Sequence, residues 1–154
     1  MKPAKRYCIG IDPGVHCGVA VFDRWIDQII LARTVGFWTL FREVLPAYPP
    51  DQADVIVEDA RLNKPTFAKD SDQGGRKREK ISRNVGSVQA EGRLIIEGLR
   101  LLGYTVAPIK PSGGKWDAST VARITGYTGR ASEHARDAIR FCYGVKAIRA
   151  EINA

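Results

Sequence analysis

Two apolar runs near the start of the chain, Tyr7–Ile11 and Gly18–Phe22, are separated only by the short stretch Asp12 to Cys17, which opens Asp12-Pro13-Gly14. Short runs rich in Ile and Val are strands, and so brief a connection makes the pair an antiparallel hairpin. Gln28–Thr34 extends the meander as a third strand. The period then changes. Phe37, Leu40, Phe41, Val44 and Leu45 recur at helical spacing, and Pro46 closes that segment. Asp54–Glu58 is a fourth strand around Val55-Ile56-Val57. A long helix is predicted from Ser82 to Leu102, with Val85, Val88, Leu94, Ile95, Leu99 and Leu102 as its apolar stripe and Gly103 as its stop. Thr105–Ile109 is a fifth strand and Lys115–Ile124 a further helix. Ser132 is a good N-cap for a last helix running to about Ala150. A hairpin meander followed by helix–strand alternation predicts an α/β fold: one five-stranded mixed sheet flanked by helices on both faces. With 154 residues and no internal repeat, the chain is expected to be a single domain over residues 1–154.

The formal net charge is +7 and the pI about 9.5. That balance favours an anionic partner, nucleic acid before others; a basic surface kept for solubility is the competing reading. Part of the excess is concentrated between Arg61 and Arg83. That stretch holds Arg61, Lys64, Lys69, Arg76, Lys77, Arg78, Lys80 and Arg83 against Asp70, Asp72 and Glu79, with Gly74-Gly75 in the middle. Without apolar periodicity it is expected to be a mobile basic loop, whose cations would meet backbone phosphates and set affinity, not sequence. The three cysteines, Cys8, Cys17 and Cys142, have no metal-site spacing, and Cys8 and Cys142 lie in apolar runs. They suit buried free thiols in a reducing cytoplasm. No apolar stretch is long enough to span a bilayer.

Acids at the ends of predicted strands carry the chemistry. Asp12 follows the first strand and Glu58 ends the fourth. Functional groups in open α/β sheets gather beyond the carboxyl ends of strands, so these two acids converge if their strands are parallel neighbours. Adjacent carboxylates repel unless one is protonated or a cation lies between them. Each acid taken alone is better read as a turn or cap residue. The last helix adds His134 and Asp137, three apart and therefore on one face, followed by the apolar Ala138, Ile139, Phe141 and Cys142. A polar pair opening a buried face must meet something, and a metal held by Asp12 and Glu58 is one answer. Gly113-Gly114-Lys115 fails as a phosphate loop, because Trp116 stands where Ser or Thr is required and Ile109 where the first glycine belongs.

Together these segments resemble the RuvC family of Holliday-junction resolvases. Ile9-Gly10-Ile11-Asp12-Pro13-Gly14 is similar to that family's opening strand and Val55-Ile56-Val57-Glu58 to its second acidic strand. Asn84-Val85-Gly86-Ser87-Val88-Gln89-Ala90-Glu91-Gly92 resembles the start of its central helix, and His134-Ala135-Arg136-Asp137-Ala138 its C-terminal helix. The resemblance implies an RNase H-like fold and a two-metal phosphodiesterase site of Asp12, Glu58, His134 and Asp137. Two Mg²⁺ ions roughly 4 Å apart would bridge the scissile phosphate and leave 5′-phosphate and 3′-hydroxyl ends. A histidine at 134, where many relatives carry an acid, suits Mn²⁺ better than the harder Mg²⁺, so Mn²⁺ should substitute. Lys115, with Lys110 as the neighbouring candidate, would stabilise charge on the phosphorane; an ordinary surface lysine is the alternative. Many relatives place an aromatic residue three positions after the second acid. Here that position is Arg61, followed by Leu62, with Phe67 further on, and any of these could wedge or stack at an unpaired step. The implied function is a homodimeric endonuclease that resolves four-way junctions by paired symmetric nicks, since a two-fold dimer matches a near two-fold junction. A broader flap or fork nuclease and a non-catalytic junction-binding protein are the alternatives.

Overall fold

The structure is a computed structural model; it describes residues 4–63 and 75–148, and for 75–85 the backbone alone. β1 (Tyr7–Asp12), β2 (Cys17–Asp23) and β3 (Gln28–Val35) form the antiparallel meander. β4 (Ala53–Glu58) returns parallel to β1, and β5 (Thr105–Ile109) lies parallel to β4. The resulting five-stranded mixed sheet has the order β3-β2-β1-β4-β5. β1 is therefore central, and its parallel register with β4 (Ile11 beside Val57) brings Asp12 and Glu58 to the same end of the sheet.

Strand alternation divides the core into two layers. Ile9, Ile11, Val19, Val21, Val55 and Val57 face one side. There they meet Leu40, Val44 and Leu45 of an irregular helical segment and Ile95, Ile96 and Leu99 of α2 (Gly75–Leu101). That segment starts as α1 (Phe37–Thr39), continues as a π-helical turn (Leu40–Val44) and ends in a 3₁₀ turn (Leu45–Ala47). Cys8, Ala20, Phe22 and Ile56 face the other side, toward Val121 of α3 (Ala118–Thr125) and Ala135, Ala138, Ile139, Phe141 and Cys142 of α4 (Glu133–Cys142). Burying each large aliphatic side chain in these layers contributes roughly 1.5–3 kcal/mol.

Several sequence-based boundaries move. α2 begins at Gly75, well before Ser82, so the expected loop over 61–83 is replaced by helix from 75 onward, while 64–74 lie outside the described residues. Arg, Lys and Glu are good helix formers, and a charged first section needs no apolar stripe to be helical. The stripe itself differs: Ile96 is buried, whereas Val88, Leu94 and Leu102 are exposed. α3 starts at Ala118 because Asp117 accepts a 2.7 Å bond from the Thr120 amide, which leaves Lys115 and Trp116 on the preceding loop. α4 starts where predicted, with the Ser132 hydroxyl accepting from the Ala135 amide, but ends at Cys142. Tyr143 is extended and Gly144 takes a φ of +74°, so the apolar Val145 and Ile148 pack without continuing the helix.

Two glycines let α4 lie directly on the strands. A Cβ on Gly10 would run into the Ala138 carbonyl, 3.1 Å from its carbon and 3.2 Å from the Cys142 Cβ. A Cβ on Gly18 would overlap the carbonyl group of His134 and stand 3.0 Å from the Ala135 nitrogen. The first turn of α4 can approach β2 this closely only because residue 18 has no side chain.

Candidate active site

The C-terminal ends of β1 and β4 and the first turns of α4 form one polar cluster. Asp12, 7 % exposed, ends β1, and its Oδ2 lies 2.9 Å from Nδ1 of His134. Asp137, one turn further along α4, is 4 % exposed. Its Oδ2 accepts a 2.5 Å bond from Nζ of Lys115, and that ammonium also lies 3.3 Å from Oε1 of Glu133. Glu58 ends β4 and is half-buried. The four residues singled out by sequence, Asp12, Glu58, His134 and Asp137, are thus brought together from three elements, and Lys115 joins them from the β5–α3 loop.

The electrostatics are those of carboxylates short of counter-charge. Burial pushes the Asp12 carboxyl above its ordinary range, against the lowering effect of His134. Burial likewise raises Glu58, and the negative charges of Asp12 and Asp137 raise it further; Arg140 and Lys115 pull in the opposite direction. Lys115 is held protonated more firmly than usual, first by its bond to Asp137. Among the described residues, Oδ1 of Asp137 is buried with no hydrogen-bond partner.

The donor types suit a divalent cation: three carboxylates and one imidazole, with a buried carboxylate oxygen lacking a donor. Side-chain placement is that of a site closed on itself, with His134 turned to Asp12 and Lys115 to Asp137. Among the described residues no three His, Cys, Asp or Glu side chains are gathered to hold a metal ion. The residues therefore fit the group in kind, and rotation of His134 and Lys115 away from the two aspartates would free the carboxylate oxygens.

The residues expected to touch DNA fare unevenly. Arg61 is tied back: its Nε and Nη2 bond both oxygens of buried Asp59 at 2.9 and 2.8 Å, around a 3₁₀ turn at Ala60–Leu62. That guanidinium holds the Asp59 carboxyl below its usual range. Lys110 is exposed just after β5. Lys64 and Phe67 lie outside the described residues, and of Arg76, Lys77, Arg78 and Lys80 only the helical backbone is described.

Three groups at this end of the sheet were not anticipated. Arg140, one turn beyond Asp137, donates from Nη1 to the Ser112 hydroxyl at 2.7 Å. Arg136 donates from Nε to the Trp116 carbonyl at 3.0 Å. Glu91 has a buried Oε2 with no partner among the described residues, next to Gly92, where a Cβ would stand 3.7 Å from Pro13. Helical spacing from Asp137 could have drawn attention to Arg140; Arg136 and Glu91 lie within the two helical segments that resemble the family, where no role was given to either.

No protein-family model matches the sequence, and no curated protein matches it. Among solved structures, T. thermophilus RuvC in complex with a Holliday junction substrate matches with a TM-score of 0.53 and 17 % identity, over 89 % of this chain and 90 % of that one. Among the described residues no helix is long and apolar enough to cross a membrane. The sheet order, the helices on both faces and this match together identify the architecture as the RNase H-like fold of RuvC.

Proposed function

We propose that this protein is a metal-dependent DNA endonuclease that acts on branched DNA, four-way junctions foremost, and cuts as a homodimer by paired symmetric nicks. The observation that carries the reading is the convergence of Asp12, Glu58, His134 and Asp137 at one end of an RNase H-like sheet. A protein that only bound DNA would gain nothing from buried acids beside phosphates, and the net charge of +7 suits a polyanionic substrate.

In this reading Asp12, Glu58, His134 and Asp137 would hold Mg²⁺, with Mn²⁺ as a substitute. Bound there, such ions lower the pKa of water and neutralise charge on the phosphate and the leaving oxygen. The chain supplies the rest. β1 and β4 fix Asp12 and Glu58 on rigid strand ends, and the Ser132-capped turn fixes His134 and Asp137. Lys115, released from Asp137, places a positive charge where the phosphorane gains negative charge. Hydrolysis breaks the bond from phosphorus to the 3′ oxygen, leaving a 5′-phosphate and a 3′-hydroxyl.

The test uses a synthetic four-way junction, a flap, a fork and a matched linear duplex, each incubated with the protein in Mg²⁺ and in Mn²⁺. Paired nicks in the junction, lost in Asp12→Asn while junction binding persists, support the reading. Binding without cutting in either metal overturns it and leaves a junction-binding module. Equal cutting of flaps and forks overturns the four-way preference and keeps the nuclease.

A further inference from the structure

We infer that Arg136 and Arg140 are positioning residues for the proposed cleavage: they clamp the β5–α3 loop onto α4 from both sides of Lys115 and thereby keep Lys115 at the acid cluster, where its ammonium can pass from Asp137 to the phosphate. The inference rests on the functional reading above.

The loop runs from Lys110 to Asp117 and has little rigidity of its own. It contains Gly113 and Gly114, and a Cβ on Gly113 would meet nothing within 4 Å. α4 holds it at three points. Arg140 Nη1 donates to the Ser112 hydroxyl at 2.7 Å, before Lys115. Arg136 Nε donates to the Trp116 carbonyl at 3.0 Å, after it. Between them Lys115 reaches Asp137 at 2.5 Å and Glu133 at 3.3 Å. Gly114 lies against the Arg140 guanidinium: its Cβ would be 3.5 Å from Nη1. The neighbour of Lys115 thus packs on the clamp itself.

Each arginine is also fixed behind its donor. Arg136 Nη1 bonds the Ala131 carbonyl at 2.8 Å, and the Arg140 guanidinium lies 5.1 Å from the centre of the Phe141 ring. His134, Asp137 and both arginines all stand on α4, so one helix carries half of the four-residue site and also sets the loop that brings the cation. A charged donor bonded to a neutral acceptor is stronger than a neutral pair, which favours one arrangement of a glycine-containing loop. A planar guanidinium fork does this with less loss of freedom than a lysine would.

The experiment has two arms, both with the full chain. Limited trypsin digestion without DNA or metal reads the clamp. In Arg140→Ala and Arg136→Ala, cutting after exposed Lys115 should quicken relative to the parent chain while cuts elsewhere keep their rates; an unchanged rate after Lys115 overturns the clamp. Junction cleavage reads the consequence. Each alanine variant should lower kcat by roughly 10²-fold, as expected for a misplacement near 1 Å, with KM nearly unchanged. Arg140→Lys, which can still reach Ser112, should recover part of the loss. In a Lys115→Ala background, adding Arg140→Ala should change kcat by less than about twofold, because both substitutions remove one unit. Independent losses that multiply would show that the arginines act through general structure, and the inference falls. A parent chain that cuts no DNA overturns the functional reading and this catalytic inference with it, and the proteolysis arm then stands as a statement about the loop alone.

Discussion

Replacing Gly18 by alanine tests how the sheet positions the site. The new Cβ would overlap the backbone carbonyl of His134 and stand 3.0 Å from the Ala135 nitrogen. Carbon atoms in contact sit about 3.5–4.0 Å apart, and these obstacles are helix backbone that cannot rotate aside. The first turn of α4 must therefore retreat by roughly 1 Å. Overpacking of this kind costs about 1–3 kcal/mol, and the rigid obstacle places Gly18→Ala near the upper end. With a urea m value of about 2 kcal/mol/M, the midpoint should fall by roughly 1.5 M. Gly86→Ala is the control, since its Cβ meets nothing within 4 Å and its site is helical. It should stabilise by about 0.5–1 kcal/mol. The same retreat carries His134 away from Asp12, now 2.9 Å apart, so junction cleavage by the folded fraction should fall by about 10²-fold. A Gly18→Ala protein within about 0.5 kcal/mol of the parent, or one destabilised but cutting at the parental rate, would refute this account.

Other expectations follow from separate parts of the molecule. Divalent metal should raise the melting temperature of the parent chain but not of Asp12→Asn, by about 2.7 kcal/mol of stability at a concentration 100 times Kd. Cleavage should survive exchange of Mg²⁺ for Mn²⁺, and full loss would count against His134 as a ligand. Asp54→Ala strips the 3.0 Å carboxylate partner from Arg24, whose side chain is 8 % exposed and keeps bonds to the Lys5, Tyr7 and Val145 carbonyls, and should cost about 3 kcal/mol in urea unfolding; a loss below about 1 kcal/mol would mean that the carbonyls suffice. Asp23 is held below the usual carboxylate range, chiefly by the Arg6 guanidinium bonded to both its oxygens. A depressed folded-state pKa gives stability that is present above the unfolded value of about 3.9 and is lost as pH falls through the lower folded value. Asp23→Asn should flatten that acid limb in melting temperature against pH, and an unchanged limb would assign it to other carboxylates.

What the sequence disclosed depended on how local the determining physics was. The β1–β2 hairpin, the strand-end acids and the Ser132 cap are written in a few adjacent residues, and the structure has all of them. The convergence of Asp12 with Glu58 needed only the guess that β1 and β4 are parallel neighbours. α2 was misread for two reasons. Its N-terminal section is helical by propensity in a run of charges that looked like loop, and its buried stripe of Ile95, Ile96 and Leu99 is set by which face the sheet covers. The end of α4 was hidden because Val145 and Ile148 prolong an apolar pattern after the backbone has turned at Gly144. Arg61 looked like a free cation because its partner, Asp59, is an acid two residues away that could equally have joined Glu58. The arginine clamps were out of reach, since Ser112 and Trp116 are neighbours of α4 only in three dimensions.

The three cysteines give the two core layers separate chemical reporters. Cys17 packs in the layer under α2, and Cys8 and Cys142 in the layer under α4. All are free thiols, and burial pushes Cys8 and Cys17 up to about 12 and Cys142 well above its usual value. A thiol alkylates only as thiolate and only when reached, so each is inert until its layer opens. The order in which alkylating reagent marks them under native conditions is therefore a clock on each face of the sheet. Simultaneous labelling means the domain opens as one cooperative unit, and Cys8 and Cys142 ahead of Cys17 means the helix carrying His134 and Asp137 detaches while the rest stays folded.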